Sequence, residues 1–226
     1  CMGFAPRRLI TSHKASLERG APMIEAGLWY RPSYFPIPGE VTWRQSCDRE
    51  VGYVRNVVGV SDVSTLGKID IQGPDAPAFL DFVYTNMFST LKPGRVRYGL
   101  MLREDGVVMD DGTTACLAPH HYVMTTSTAA AGEVMRHLEF VRQCLCPQMD
   151  VHIMSVTENW AQFAIAGPKS RMLLNGVLDQ RISNQSWPFM SCGDVSIQGV
   201  DGRLFRISFS GEHAYEIAVP ARYGDS

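Results

Sequence analysis

An α+β fold is predicted by three features of this sequence. Short strand-like runs and amphipathic helical runs are mixed along its 226 residues. Two Gly-Pro breaks, 94 positions apart, each join a strand-like run to a helix-like one. A hydrophobic share of 45% against 19% charged residues is enough to bury a real core, which excludes disorder as the main state.

Composition removes several function classes. No run of about eighteen apolar residues occurs, so no membrane span is expected. Lys plus Arg is 21 and Asp plus Glu is 23, a net charge of −2, so there is no basic excess for nucleic acid. Of six cysteines only Cys144 and Cys146 are close, and C-x-C is neither zinc-finger nor redox spacing, so no metal site is expected. Eleven methionines and no disulfide framework point to a reducing cytoplasm. Arg7-Arg8 is followed by the polar segment 11–20, which rejects a twin-arginine signal. The chain opens on Cys1 and stops at Ser226 just after a strand-like run, as expected of a piece cut from something longer.

Residues 1–56 read as a linker and extension, and 57–226 as one domain built from 57–148 and 149–226. Within the first stretch, Leu28 to Gly39 holds three prolines and four aromatics, which suits neither a helix nor a central strand. It is expected to lay its aromatics on a neighbouring surface. Glu40 to Val57 is more helical. Leu66 to Gln72 alternates as a strand, Gly73-Pro74 breaks it, and Pro74 suits the first turn of a helix carrying Ala76, Phe79, Leu80 and Val83 on one face. Arg97 to Arg103 is a strand, Glu104-Asp105-Gly106 a turn, and Val107 to Met109 the return strand. Two short strands flank Pro119-His120. Thr128 to Cys144 is a helix with Val134, Leu138 and Val141 inward. The second stretch restarts the plan: Phe163 to Ala166, Gly167-Pro168, then a helix from Lys169 to Asn175. Leu204 to Phe209 and Ala214 to Val219 form a closing hairpin.

The chemistry-bearing residues are few. No glycine-rich dinucleotide or phosphate signature is present. His120-His121 reads as a pair of exposed turn histidines. Asp110-Asp111-Gly112 ends a strand. It reads either as a turn or as a carboxylate at a sheet mouth, able to take a cationic or N–H-bearing ligand. Glu216 is the sharper anomaly. It lies in the apolar strand Ala214 to Val219, and its same-face neighbours Ala214 and Ala218 are small enough to line a cavity. Burying an unpartnered carboxylate is costly. Glu216 is therefore a ligand group, an edge-strand residue in water, or the partner of an arginine such as Arg206. As a ligand group it suits a guanidine-like edge, since a carboxylate accepts two parallel N–H bonds. Tyr98 and Phe209 are strand aromatics that either pack in the core or stack on a flat heterocycle.

Several longer runs resemble the aminomethyltransferase (glycine-cleavage T-protein) superfamily. They are Asp62 to Ala76, Tyr98 with Glu104 to Asp111, Ala166-Gly167-Pro168, and Ser210-Gly211-Glu212 with Tyr215-Glu216-Ile217. Gly27-Leu28-Trp29, Arg31-Pro32, Tyr34-Phe35-Pro36, Tyr84-Thr85-Asn86, Arg97 to Gly106 and Phe205 to Glu212 resemble more closely the folate-binding half of the sarcosine oxidase α-subunit branch.

The resemblance implies a multi-lobed aminomethyltransferase-like fold holding tetrahydrofolate, with the family's C-terminal small barrel missing. It assigns catalysis to Asp111 and folate contacts to Tyr98, Phe209 and Glu216. Many T-proteins carry tyrosine where this chain has Phe209, so stacking is kept and a phenol hydrogen bond is not. The implied activity passes the one-carbon unit of oxidised sarcosine to tetrahydrofolate, giving glycine and 5,10-methylenetetrahydrofolate. FAD, FMN and NAD, the methylated amine's oxidation and the other oxidase subunits are implied outside this piece. The alternatives are a freestanding aminomethyltransferase or folate-dependent demethylase, and a non-enzymatic folate-binding assembly module.

Overall fold

A computed structural model describes residues 8–225. Cys1, Arg7 and Ser226 lie outside the described residues, and with them the readings of the Arg7-Arg8 pair and of the two chain ends. Among the described residues no helix is long and apolar enough to cross a membrane.

The chain begins with β1 (Arg8–Leu9), α1 (His13–Glu18), β2 (Met23–Ala26) and β3 (Trp29–Pro32). These strands form a small sheet in the order β1-β3-β2. This corrects one expectation: the proline-rich segment does supply a central strand. Pro32 is tolerated because β1 pairs only with Trp29 and Tyr30, so its missing N–H breaks no β1 bond. The following Tyr34 to Gly39 folds back on α2 (Trp43–Asn56). There the Phe35 N–H donates to Glu50 (2.7 Å), and Arg49 donates to the Phe35 carbonyl (2.5 Å) and to Glu40 (2.7 Å). Helix α2 starts at Trp43 because Thr42 and Gln45 close a reciprocal capping box.

Next come β4 (Gly59–Asp62), β5 (Gly67–Gln72), α3 (Ala76–Val83), β6 (Arg95–Leu102), β7 (Val108–Ala118), β8 (His121–Thr126) and α4 (Ala131–Phe140). The chain ends with β9 (His152–Ser155), β10 (Trp160–Ala166), α5 (Ser170–Val177), β11 (Cys192–Ile197), β12 (Val200–Phe205) and β13 (Ala214–Pro220). Four details differ from the sequence reading. The proline in the first turn of α3 is Pro77, not Pro74, since Asp75 is the N-cap. The expected helix to Cys144 changes at Val141 into a π-turn. Strand β7 runs eleven residues, so Asp110-Asp111-Gly112 lies within a strand rather than at its end or in a turn. Strand β12 stops at Phe205, which leaves Phe209 in a loop.

The 94-residue offset holds in three dimensions. Helices α3 and α5 begin and end at equivalent positions. Gly73 and Gly167 take φ of +131° and +130°, a region that only glycine enters without strain. Each carbonyl accepts the first helical N–H at 3.0 Å, from Ala76 and Ser170. The two sheets run β6-β7-β8-β5-β9 and β11-β12-β13-β10-β4, the same plan twice. The short strand that leads each copy pairs with the other copy's sheet: β4 with β10, and β9 with β5.

The chain divides into two compact units. One comprises residues 8–65, 158–189 and 194–225, and the other 66–157 with 190–193. The second unit packs Ile69, Ile71, Phe79, Leu80, Met124 and Leu138 into its core. The first packs Ile165, Leu174, Leu204, Tyr215 and Ile217.

Candidate functional site

Tyr98 and Asp111 meet. They stand on adjacent strands β6 and β7, where Tyr98 opposes Thr113 and Leu100 opposes Asp111. The alternation of a strand puts both side chains on one face. The Tyr98 hydroxyl donates to Asp111 Oδ2 at 2.7 Å. This bond, reinforced by partial burial and the charges of Asp111 and Asp110, holds the Tyr98 phenol above its ordinary value. Among the described residues no group donates to Asp111 Oδ1. Tyr98 is 47% exposed, so the pair is open to solvent and is not a core contact.

The neighbouring carboxylate does different work. Asp110 points to the opposite face, is buried, and accepts the Ser127 N–H at 3.0 Å. Between Tyr98 and Asp111 the ladder pairs Gly99 with Gly112. A Cβ at Gly99 would meet the Tyr84 and Phe88 rings at 2.9 Å, and one at Gly112 the Thr125 carbonyl at 2.0 Å. The two glycines therefore let the backbone sit close against Tyr84 and Thr125, beneath the exposed Tyr98–Asp111 pair.

Glu216 lies in the other unit, on β13, between β10 and β12. This overturns the edge-strand reading: the carboxylate sits on a central strand and is half-buried. Arg206 does not hold it. The Arg206 guanidinium donates to the Ala214 carbonyl at 2.7 Å and lies over the rings of Tyr215 and Phe189. A partner that the sequence reading missed is Gln162 of β10, whose amide nitrogen donates to Glu216 Oε2. A glutamine within the apolar run Trp160 to Ala166 was the available signal. Ala164 opposes Glu216 directly, and Ala214 and Ala218 flank it on its own strand. The carboxylate thus stands on a floor of methyl groups.

Phe209 is fully exposed at the tip of loop 206–213. The loop is tied by the Gly211 N–H to Ser208 Oγ (3.0 Å) and by the Glu212–Arg55 ion pair. Its ring is therefore not a strand aromatic and not a core residue. The two histidines also part company. His120 takes the turn with φ +61°, but His121 is on β8 and its Nε2 meets Asp70 at 2.8 Å.

On the opposite face of β13, His213 Nε2 accepts from Arg171 (3.0 Å) and lies 3.1 Å from the Tyr215 hydroxyl. Burial, and then the charges of Arg206 and Arg171, hold its pKa below the usual value. This cluster fastens α5 to β13.

Known proteins resemble this chain in family and fold. The family model for the GCVT N-terminal domain matches residues 12–226. The sarcosine oxidase subunit alpha of Rhizobium meliloti (strain 1021) is 54% identical over 225 residues, which is 99% of this chain and 23% of that protein. The aminomethyltransferase of Staphylococcus haemolyticus (strain JCSC1435) is 28% identical over 91% of this chain and 53% of its own length. The chain thus spans about a quarter of the first relative and about half of the second. Among solved structures, the glycine cleavage system aminomethyltransferase T from Bartonella henselae superposes with a TM-score of 0.80 at 21% identity. That likeness covers 95% of this chain and 54% of the other, and it shows the aminomethyltransferase-like fold expected from the sequence. With its duplicated sheets and a family match that runs to its last residue, this chain belongs to the GCVT N-terminal domain family.

Proposed function

We propose that this chain is the tetrahydrofolate-binding part of a sarcosine oxidase α subunit, passing the one-carbon unit of oxidised sarcosine to tetrahydrofolate, with glycine as the other product. The observation that carries the reading is the Tyr98–Asp111 pair: an exposed carboxylate with one oxygen engaged by a phenol and the other open. The 54% identity to a sarcosine oxidase α subunit, against 28% to an aminomethyltransferase, favours the oxidase branch.

Tetrahydrofolate supplies the nitrogens that accept the one-carbon unit. Asp111 Oδ1 takes or holds the proton that leaves them, while Tyr98 fixes Oδ2. Glu216 fits a pterin edge. It is an acceptor-only group when ionised, it is half-buried, and the alanines around it leave room for a flat ring. Phe209 offers an exposed ring for stacking. Flavin and NAD chemistry, and the methylated amine's own site, are assigned to other segments and subunits in the cytoplasm. The name "subunit alpha" of the relative is the support for such partners. Residues 57–226 are read as the folate-binding stretch.

The test uses the full-length enzyme with its subunits. Asp111→Asn is expected to cut transfer to folate by about 10²-fold or more with a smaller change in folate affinity, so formaldehyde accumulates while amine oxidation continues. Glu216→Gln turns one acceptor into a donor facing a donor and is expected to weaken folate binding by roughly 2–4 kcal/mol. Unchanged methylenetetrahydrofolate yield in both variants, or loss of amine oxidation in Asp111→Asn, refutes the assignment.

A further inference from the structure

We infer that Gln162 is the positioning residue for Glu216: a neutral amide donor that fixes the carboxylate's orientation without cancelling its charge. The inference rests on the reading of Glu216 as a folate contact and adds a residue to it.

Three structural features carry it. The Gln162 side chain and Glu216 share one face of the sheet, since Gln162 opposes Ala218 and Ala164 opposes Glu216. Its amide nitrogen must be the end that faces Oε2, because an ionised carboxylate offers no proton and an amide oxygen there would repel it. Gln162 is also anchored. It is 3% exposed, its N–H donates to Ser64 Oγ at 2.9 Å, and its carbonyl accepts the Val63 N–H at 2.8 Å. The strand can neither slide nor tilt without breaking those bonds, so the amide is aimed by the backbone.

The choice of residue matters chemically. A lysine or arginine at this position would also orient Glu216, but it would compete with the ligand for the negative charge. A methionine or leucine would fill the same space and leave one carboxylate oxygen buried beside methyl groups with no donor from β10. Glutamine does neither: it orients the carboxylate and adds no charge of its own.

A double-mutant cycle separates positioning from mere packing. In the full-length enzyme, the affinity for the stable reduced folate 5-formyltetrahydrofolate is measured by calorimetry, with Tm recorded without ligand. Gln162→Met is expected to weaken binding by about 5- to 30-fold in the native background and by less than about 2-fold when Glu216→Gln is already present. Gln162→Glu keeps size and polarity but presents an acceptor to an acceptor. It is expected to weaken binding at least 10-fold, and it serves where the methionine variant folds poorly. Equal losses in both backgrounds, or wild-type affinity in Gln162→Glu, overturn the inference while leaving Glu216 as a ligand group. If Glu216→Gln alone leaves affinity unchanged, the reading of Glu216 fails and this inference falls with it.

Discussion

Replacing Gly73 by alanine is expected to damage this fold far more than replacing Gly176, a glycine of helix α5 whose equivalent in α3 is Phe82. Gly73 has φ +131°, and a Cβ there would stand 2.3 Å from the Asp150 carbonyl oxygen and 3.0 Å from Val151 Cα. These are backbone atoms, so relief requires moving a main chain. That chain is itself bonded, since the Asp75 N–H donates to Asp150 O at 3.2 Å and the Asp150 N–H to Asp75 Oδ2 at 2.8 Å. Backbone strain of this kind costs about 1–3 kcal/mol. One displaced hydrogen bond adds about 1 kcal/mol, so a loss of about 2–4 kcal/mol is expected from a total near 5–15. Gly167→Ala should behave alike, its Cβ meeting the carbonyls of Val54 and Val57 at 2.7 Å. Gly176, in helix α5, has nothing within 4 Å of its added methyl, so alanine there should stabilise by about 0.5–1 kcal/mol. Urea denaturation followed by far-ultraviolet circular dichroism, with m compared across variants, makes the measurement. A Gly73→Ala protein within about 0.5 kcal/mol of wild type, or equal costs at Gly73 and Gly176, refutes the reasoning.

Two further outcomes follow from the titrating groups. His213 has its pKa lowered by burial and by Arg206 and Arg171, so the unfolded chain binds the proton more readily than the folded one. Stability should therefore fall as pH drops through about 6.5. His213→Gln, which keeps an acceptor for Arg171, should flatten part of that slope in thermal melts between pH 7.5 and 5.5; His137, lowered by burial, supplies the remainder. An unchanged slope counts against a neutral His213. Tyr98 should ionise above the ordinary tyrosine value of about 10. Ultraviolet difference titration should lose one high step in Tyr98→Phe and see it move down in Asp111→Asn; if Asp111→Asn leaves it in place, the hydrogen bond is not its cause.

Local chemistry made some elements readable. Gly73-Pro74 and Gly167-Pro168 mark two equivalent turns, because each depends on a few neighbouring residues. Long-range pairing defeated the rest. Asp110-Asp111-Gly112 has turn chemistry, yet β6 pairs with all three residues and holds them extended. Phe209 continues the apolar alternation Phe205, Ile207, Phe209, but β12 ends at Phe205 and Gly211 takes φ +86°. The Glu216 anomaly was visible from its apolar surroundings, whereas its partner Gln162 lies 54 positions away and only the sheet brings them together. The central place of β3 was hidden for the same reason, since β1 reaches it from the far end of the segment.

The exchange of leading strands bears on how a ribosome delivers this chain. Strand β4 emerges early, but its partner follows by about a hundred residues, Asp62 pairing with Phe163. At a synthesis rate of about 5–20 residues per second, β4 waits roughly 5–20 seconds with its edge bare. Its residues Val60 and Ser61 are exposed even in the finished fold, which makes a short, weakly apolar strand that can wait in water. The sheet of β5 to β8 waits only for β9, complete at Ser155, whereas β4 waits for β10 and its sheet for β13, so vectorial synthesis closes the internal sheet first and the sheet holding the early strand last.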